Sequence, residues 1–199
     1  AALVLTLAVA VSAVLPVFAV YPMPIQTATE TEAVYLFNAD TGKTLLTQNA
    51  DQPRYVASLT KMMTALLLLE SGKDLNGEVT VPTDLTQEFK DIQNANGTTM
   101  GLRIGETVRR IDLLNALLIT SANDAASVIA WDVGGSLNAF IQQMNARAAE
   151  LGCTSATFTC AHGLYDYGNV ASAEDMAKIA AACAANETFA QVAGSTTYT

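Results

Sequence analysis

Val56-Ala57-Ser58-Leu59-Thr60-Lys61-Met62-Met63-Thr64-Ala65-Leu66-Leu67-Leu68-Leu69-Glu70 is the stretch on which the reading of this 199-residue chain turns. From Ser58 to Glu70 it predicts a helix with almost no polar face, and a helix that is apolar all round belongs at the centre of a domain. Gly72, just past its end, is a C-terminal stop. Ser58 and Lys61 lie three residues apart at the start of this helix, on one face and one turn apart. The first turn holds unpaired backbone N–H groups and the positive end of the helix dipole. The Ser58 N–H is therefore placed to be one donor of an oxyanion hole. Burial of an ammonium lowers its pKa, so a neutral Lys61 amine can take the Ser58 proton. The pattern alone is short: roughly one chance S-x-x-K is expected in a chain of this length. A helix cap at Ser58 with Lys61 reaching outward to solvent explains it equally well.

Towards the C-terminus, Thr107 to Ile119 carries a helical pattern in Val108, Ile111, Leu114, Leu117 and Leu118. Ser121-Ala122-Asn123 follows in a break flanked by Thr120 and Asp124. In an extended loop, residues two apart point to one side, so the hydroxyl and the carboxamide can share a cleft. The hydroxyl can relay protons and the amide can hold a peptide by donor and acceptor together; ordinary capping is the competing explanation. Ser136-Leu137-Asn138 has the same spacing, but it opens a helix after Gly134-Gly135 and reads as a cap. Helices are expected over residues 125–133, 137–151 and 172–185, the last with Ser172 as N-cap and Asp175 three residues on. Residues 157–159 read as a short extended piece. Upstream, residues 33–37 and 44–47 predict two strands of a hairpin joined by the turn at residues 38–43. Residues 76–106 read as short β-like pieces and turns. A hairpin, a buried helix and a helical block together predict an α+β fold.

Together these segments resemble the D-Ala-D-Ala carboxypeptidases, the low-molecular-mass penicillin-binding proteins of serine peptidase family S11. The resemblance rests on Val56 to Ala65, on Ser121-Ala122-Asn123-Asp124-Ala125-Ala126, on Met144-Asn145 with Leu151-Gly152, and on His162-Gly163-Leu164 with Asp175-Met176-Ala177. It runs from about residue 33 to 199, and S-x-x-K, S-x-N and K-T-G are the motifs of this superfamily. It implies a β-lactamase/transpeptidase-like fold, a sheet packed against helices with a helical subdomain. It implies Ser58 as nucleophile, Lys61 as general base, Ser121 as proton relay and Asn123 as a substrate-binding residue. The implied partners are a peptidoglycan stem peptide ending in D-Ala-D-Ala and β-lactam antibiotics, with no cofactor, no metal and no nucleic acid. His162, the single histidine, is expected to be a turn residue, because Ser–Lys chemistry needs no histidine.

Two departures stand beside the resemblance. No K-T-G occurs; Thr41-Gly42-Lys43 has the reverse order and lies in the first hairpin. In the family that motif lies on a late strand, so the chain is expected to be the N-terminal part of the enzyme, inactive by itself, with its C-terminal strands and any peripheral membrane attachment lying further on. Cys160-Ala161 stands where the family pattern has Asn-Pro, and a Cys153–Cys160 disulfide is one expectation for that turn. Two other readings remain open: a class A-like β-lactamase, for which no Glu-x-x-Leu-Asn segment follows His162, and a non-catalytic wall-binding module on the same fold.

Composition sets the compartment. The chain has 10 Lys and Arg against 19 Asp and Glu, a formal net charge of −9, and no basic run, which excludes a nucleic-acid surface. Residues 1–19 carry no charge and read as a signal peptide lacking its start, cleaved after Ala19. A spanning helix needs about 20 apolar residues, and this run holds Pro16. Residues 20–31 read as a linker and 32–199 as the incomplete catalytic domain, exported to the extracytoplasmic side of a bacterial membrane. Export permits disulfides, although the cysteines number three, Cys153, Cys160 and Cys183; the last reads as a buried free thiol.

Overall fold

The computed structural model describes residues 31–164 and 166–198. The expected signal peptide and most of the linker lie outside the described residues. The apolar run at the heart of the sequence forms α1 (Thr60–Glu70), and Met63, Ala65, Leu66 and Leu68 in it are fully or almost fully buried. Each such side chain contributes about 1.5–3 kcal/mol by leaving water. Five helices surround α1: α3 (Arg110–Ile119), α4 (Asn123–Gly134), α5 (Leu137–Glu150), α6 (Ala173–Ala184) and α7 (Glu187–Ala193). Leu113, Leu114 and Leu117 of α3, Val128 and Ile129 of α4, and Phe140 and Met144 of α5 close the core against it. No helix among the described residues is long and apolar enough to cross a membrane.

The strands are short. β1 (Val34–Phe37) and β2 (Thr44–Gln48) form the expected hairpin, antiparallel, with an irregularity between Leu36 and Phe37. β3 (Arg54–Tyr55) pairs with β6 (Val170–Ala171), and β4 (Glu78–Thr80) with β5 (Thr107–Arg109). The described residues thus hold three two-stranded sheets beside a helical body, a mixed α+β architecture.

Local expectations hold where a cap or an apolar period carried them. Ser136 accepts from the Ala139 N–H at 3.1 Å and Ser172 from the Asp175 N–H at 3.1 Å. Asp175 does not return the bond to Ser172; its carboxylate instead takes the N–H groups of Thr154 and Ser155 at 3.0 and 2.8 Å. Four expectations need correction. Residues 76–106 include a true helix, α2 (Thr86–Asn94), whose Ile92 is its one fully buried residue, too few apolar positions to declare a period. Thr107 to Arg109 pairs as β5 before α3 begins, because the β4 backbone offers partners that a helix start lacks. α7 lies beyond the last expected helix and opens with Asn186 capping the Phe189 N–H. The Cys153–Cys160 disulfide is absent and all three cysteines are free. Their sulfurs are engaged elsewhere: Cys153 with the Asp175 carbonyl, Cys160 with the Gly163 N–H and Cys183 with the Met62 carbonyl.

Candidate active site

Ser58 sits in a one-turn 3-10 segment, residues 57–59, that leads into α1. Ala57 before it has φ +45, a left-handed conformation that non-glycine residues avoid. This bend turns Ser58 into solvent while Thr60 and Lys61 go inward. Ser58 makes no side-chain cap bond, so helix capping does not account for it.

Lys61 does not reach outward. It is 3% exposed, and its Nζ has three oxygen neighbours: Ser58 Oγ at 3.2 Å, Asn123 Oδ1 at 2.8 Å and the His162 carbonyl at 2.6 Å. Burial pushes its pKa down to about 8, against a smaller opposing effect from Cys160. At that value the neutral amine is readily reached near neutral pH, and in that form Nζ is a proton acceptor 3.2 Å from the Ser58 hydroxyl.

Ser121 reaches Ser58 from the other side, Oγ to Oγ at 3.0 Å. The extended loop expected at this point is not what aligns it. Ser121 has φ +59, in a three-residue link between α3 and α4 held by the Ala122 N–H on the Ala116 carbonyl. Asn123 is the first residue of α4 and is 4% exposed. Its Oδ1 faces Lys61, while its backbone N–H and Nδ2 both donate to the Thr98 carbonyl, at 2.8 and 2.9 Å. Asn123 therefore ties Lys61 to the loop before α3. Asp124 fixes that loop by accepting from the N–H groups of Met100, Gly101 and Leu102, each at 3.0 Å.

The opposite wall is the Ala161-His162-Gly163 turn. Thr64 Oγ1 donates to the Ala161 carbonyl at 2.6 Å, Asn169 Nδ2 to Thr60 Oγ1 at 2.8 Å, and Lys61 to the His162 carbonyl. Gly163 has φ +80, and a Cβ there would overlap the Ala57 carbonyl oxygen. Only glycine lets the turn lie this close to the Ser58 segment. The His162 ring points away from Ser58, its Nε2 3.1 Å from Glu88 Oε1, which also accepts from Ser127 Oγ at 2.9 Å. Glu88, Thr98, Asp124 and Asn169 were not among the residues the sequence nominated. Beside Ser58, Lys61 and Ser121 opens a cavity of about 350 Å³, walled on its apolar side by Met62, Leu117 and Leu118.

The arrangement is an exposed hydroxyl between a buried amine of lowered pKa and a second hydroxyl. The chain matches known proteins in sequence and in fold. The family described as D-alanyl-D-alanine carboxypeptidase matches residues 21–198. The chain is 33% identical to D-alanyl-D-alanine carboxypeptidase DacF of Bacillus subtilis, over 77% of this chain and 39% of the relative. It is 32% identical to a D-alanyl-D-alanine endopeptidase of Pseudomonas aeruginosa, over 88% and 54%. The chain thus spans roughly half or less of these relatives. Among solved structures it superposes on the Streptomyces K15 DD-transpeptidase with a TM-score of 0.73 at 32% identity, covering 79% of this chain and 62% of that one. With the match running over most of its length, the chain belongs to the D-alanyl-D-alanine carboxypeptidase family of serine peptidases.

Proposed function

We propose that residues 32–199 are part of the catalytic domain of a serine-type D-alanyl-D-alanine carboxypeptidase. In this reading the protein removes the terminal D-Ala from peptidoglycan stem peptides outside the cytoplasm. The observation that carries the reading is Ser58 Oγ held between Lys61 Nζ at 3.2 Å and Ser121 Oγ at 3.0 Å, with Lys61 buried and its pKa lowered. Lys61 in its neutral form takes the Ser58 proton as Oγ attacks the carbonyl of the penultimate D-Ala. The Ser58 N–H stabilises the developing oxyanion as one donor of a pair. Ser121 passes a proton towards the departing D-Ala amine, and water then cleaves the acyl-enzyme. Asn123 acts first on Lys61, and its second amide proton is the one left to meet the substrate backbone. A β-lactam, which resembles D-Ala-D-Ala, acylates Ser58 in the same way. Residues 1–19 act as a signal peptide, and membrane association, where present, is peripheral and lies outside these residues.

The test is labelling of the full-length protein with a fluorescent penicillin, wild type beside Ser58→Ala, followed by release of D-Ala from a D-Ala-D-Ala peptide. The expected outcome is a stable covalent band, lost in the variant, and D-Ala release by the wild type alone. A band that turns over rapidly, with fast nitrocefin hydrolysis, would assign the protein as a β-lactamase. A folded full-length protein with no band would leave a wall-binding module.

A further inference from the structure

Behind the Ala161-His162-Gly163 turn, on the side away from Ser58, lies a second cavity of about 390 Å³. Glu88, Asp91, Cys160, His162, Leu164 and Asp166 are among the residues on its wall. Cys160 is only partly buried. Its sulfur accepts from the Gly163 N–H at 3.2 Å and shares the cavity wall with the His162 side chain. His162 in turn is held by Glu88, and Glu88 by Ser127. Thiol, imidazole and carboxylate thus line one open cavity, and the mechanism proposed above uses none of the three side chains.

The electrostatics agree with the geometry. Burial alone would raise the Cys160 pKa, but the donors from His162 and Gly163 outweigh it and bring it below the ordinary thiol value. Burial likewise disfavours a charged His162, yet the hydrogen bonds with Cys160 and Glu88 lift its pKa to about 9. The Leu164 N–H, aimed at Nδ1 at 3.0 Å, works the other way because it needs a lone pair there. The Gly163 N–H favours the thiolate with either ring form. The other thiols go in the opposite direction: burial pushes Cys153 up to about 11 and Cys183 up to about 12.

We propose that Cys160 is a modification site for small uncharged peroxides and soft electrophiles, and that its modification acts on Lys61 through the His162 carbonyl. In the oxidation step the thiolate sulfur attacks one oxygen of hydrogen peroxide and the O–O bond breaks. The sulfur is oxidised to sulfenic acid, the peroxide is reduced, and the leaving hydroxide takes up the thiol proton to depart as water. Glu88, Asp91 and Asp166 on the wall repel anionic oxidants and leave uncharged ones free to enter. The added oxygen displaces the Gly163 N–H from the sulfur. The same turn carries the carbonyls that hold Thr64 and Lys61, so the turn cannot shift without moving the amine. The part concerning Lys61 rests on the proposed function; the reactivity of Cys160 does not.

The experiment is a brief pulse of hydrogen peroxide on the native full-length protein with dimedone present, each cysteine then quantified by mass spectrometry. A pKa gap of two units is about 100-fold in thiolate, and lower nucleophilicity returns about tenfold of it, so Cys160 should trap dimedone at least about tenfold faster than Cys153 or Cys183. Equal rates, or a faster Cys153, would overturn the proposal. In parallel, fluorescent-penicillin labelling of Ser58 should fall severalfold after peroxide, recover with dithiothreitol, and stay insensitive to peroxide in Cys160→Ser. Oxidation of Cys160 with undiminished penicillin labelling would remove the link to Lys61. An untreated protein that takes up no penicillin would count against the function of Ser58 and leave the dimedone comparison intact.

Discussion

The most direct test of the Lys61 environment is a pH profile and its displacement by one added charge. In the proposed mechanism Lys61 must lose its own proton before it can accept one from Ser58, so the acylation rate is expected to follow its deprotonated fraction. Its pKa is brought from 10.5 to about 8 by burial. At neutral pH a group titrating near 8 is unprotonated about one time in ten, whereas at the ordinary lysine value it is so about once in 3,000, a gain of about 300-fold. Because the folded pKa is lowered, the active form lies above it. The second-order rate of penicillin acylation should therefore climb about tenfold per pH unit from about 6 to near 8 and flatten beyond. Asn123→Asp then places a carboxylate where Asn123 Oδ1 now lies, 2.8 Å from Nζ. An opposite charge at that distance raises the pKa by about 1–3 units, which moves the rise to between about 9 and 11 and slows acylation at neutral pH by about 10- to 1,000-fold. Asn123→Ala supplies no charge and should slow acylation without moving the rise upward. Stopped-flow acylation of the full-length protein and both variants, read across this range, decides the matter. A flat wild-type profile, or an Asn123→Asp profile that rises where the wild type does, would refute the assignment of Lys61 as the base.

Two further variants probe what holds the site. Asp124→Ala leaves the N–H groups of Met100, Gly101 and Leu102 without their carboxylate, and should lower stability by about 3 kcal/mol in urea unfolding, with Asp124→Asn losing less. Its penicillin labelling should fall further than unfolding explains, because the Thr98 carbonyl that anchors Asn123 lies on the released loop; unchanged labelling in the folded fraction would count against that link. Gly163→Ala meets both a φ of +80 and the Ala57 carbonyl, and should lower stability by more than about 2 kcal/mol. A thermal midpoint equal to that of the wild type would mean the turn is not packed as described.

What the sequence disclosed follows from where each signal was stored. The apolar run from Met62 to Leu69, broken only by Thr64, announced a buried helix, and Ser58 and Lys61 stand just ahead of it at a spacing that brings them together. Ser136 and Ser172 were legible for the same reason, since a cap and the N–H it accepts from are local. β3 and β6 were not, because a pair of two-residue strands leaves no periodic trace and owes its existence to a partner far along the chain. The Ser121-Ala122-Asn123 segment is intermediate: the residues were found, but on the premise of an extended loop, whereas a left-handed Ser121, one residue before the first turn of α4, is what converges them. The cage around Lys61 was the least legible part. Its clamps are the carbonyls of His162, Ala161 and Thr98, and a backbone carbonyl has no residue type to betray it. Glu88 escaped for a related reason, since on an otherwise polar helix one more carboxylate looks like solvent-facing charge until His162 is seen against it. A nucleophile and its base can thus be nominated from side chains alone. The burial that lowers the base's pKa, and the carbonyls of the Ala161-His162 turn and of Thr98 that fix its surroundings, come from segments far from it in the chain and become visible only once the chain is folded.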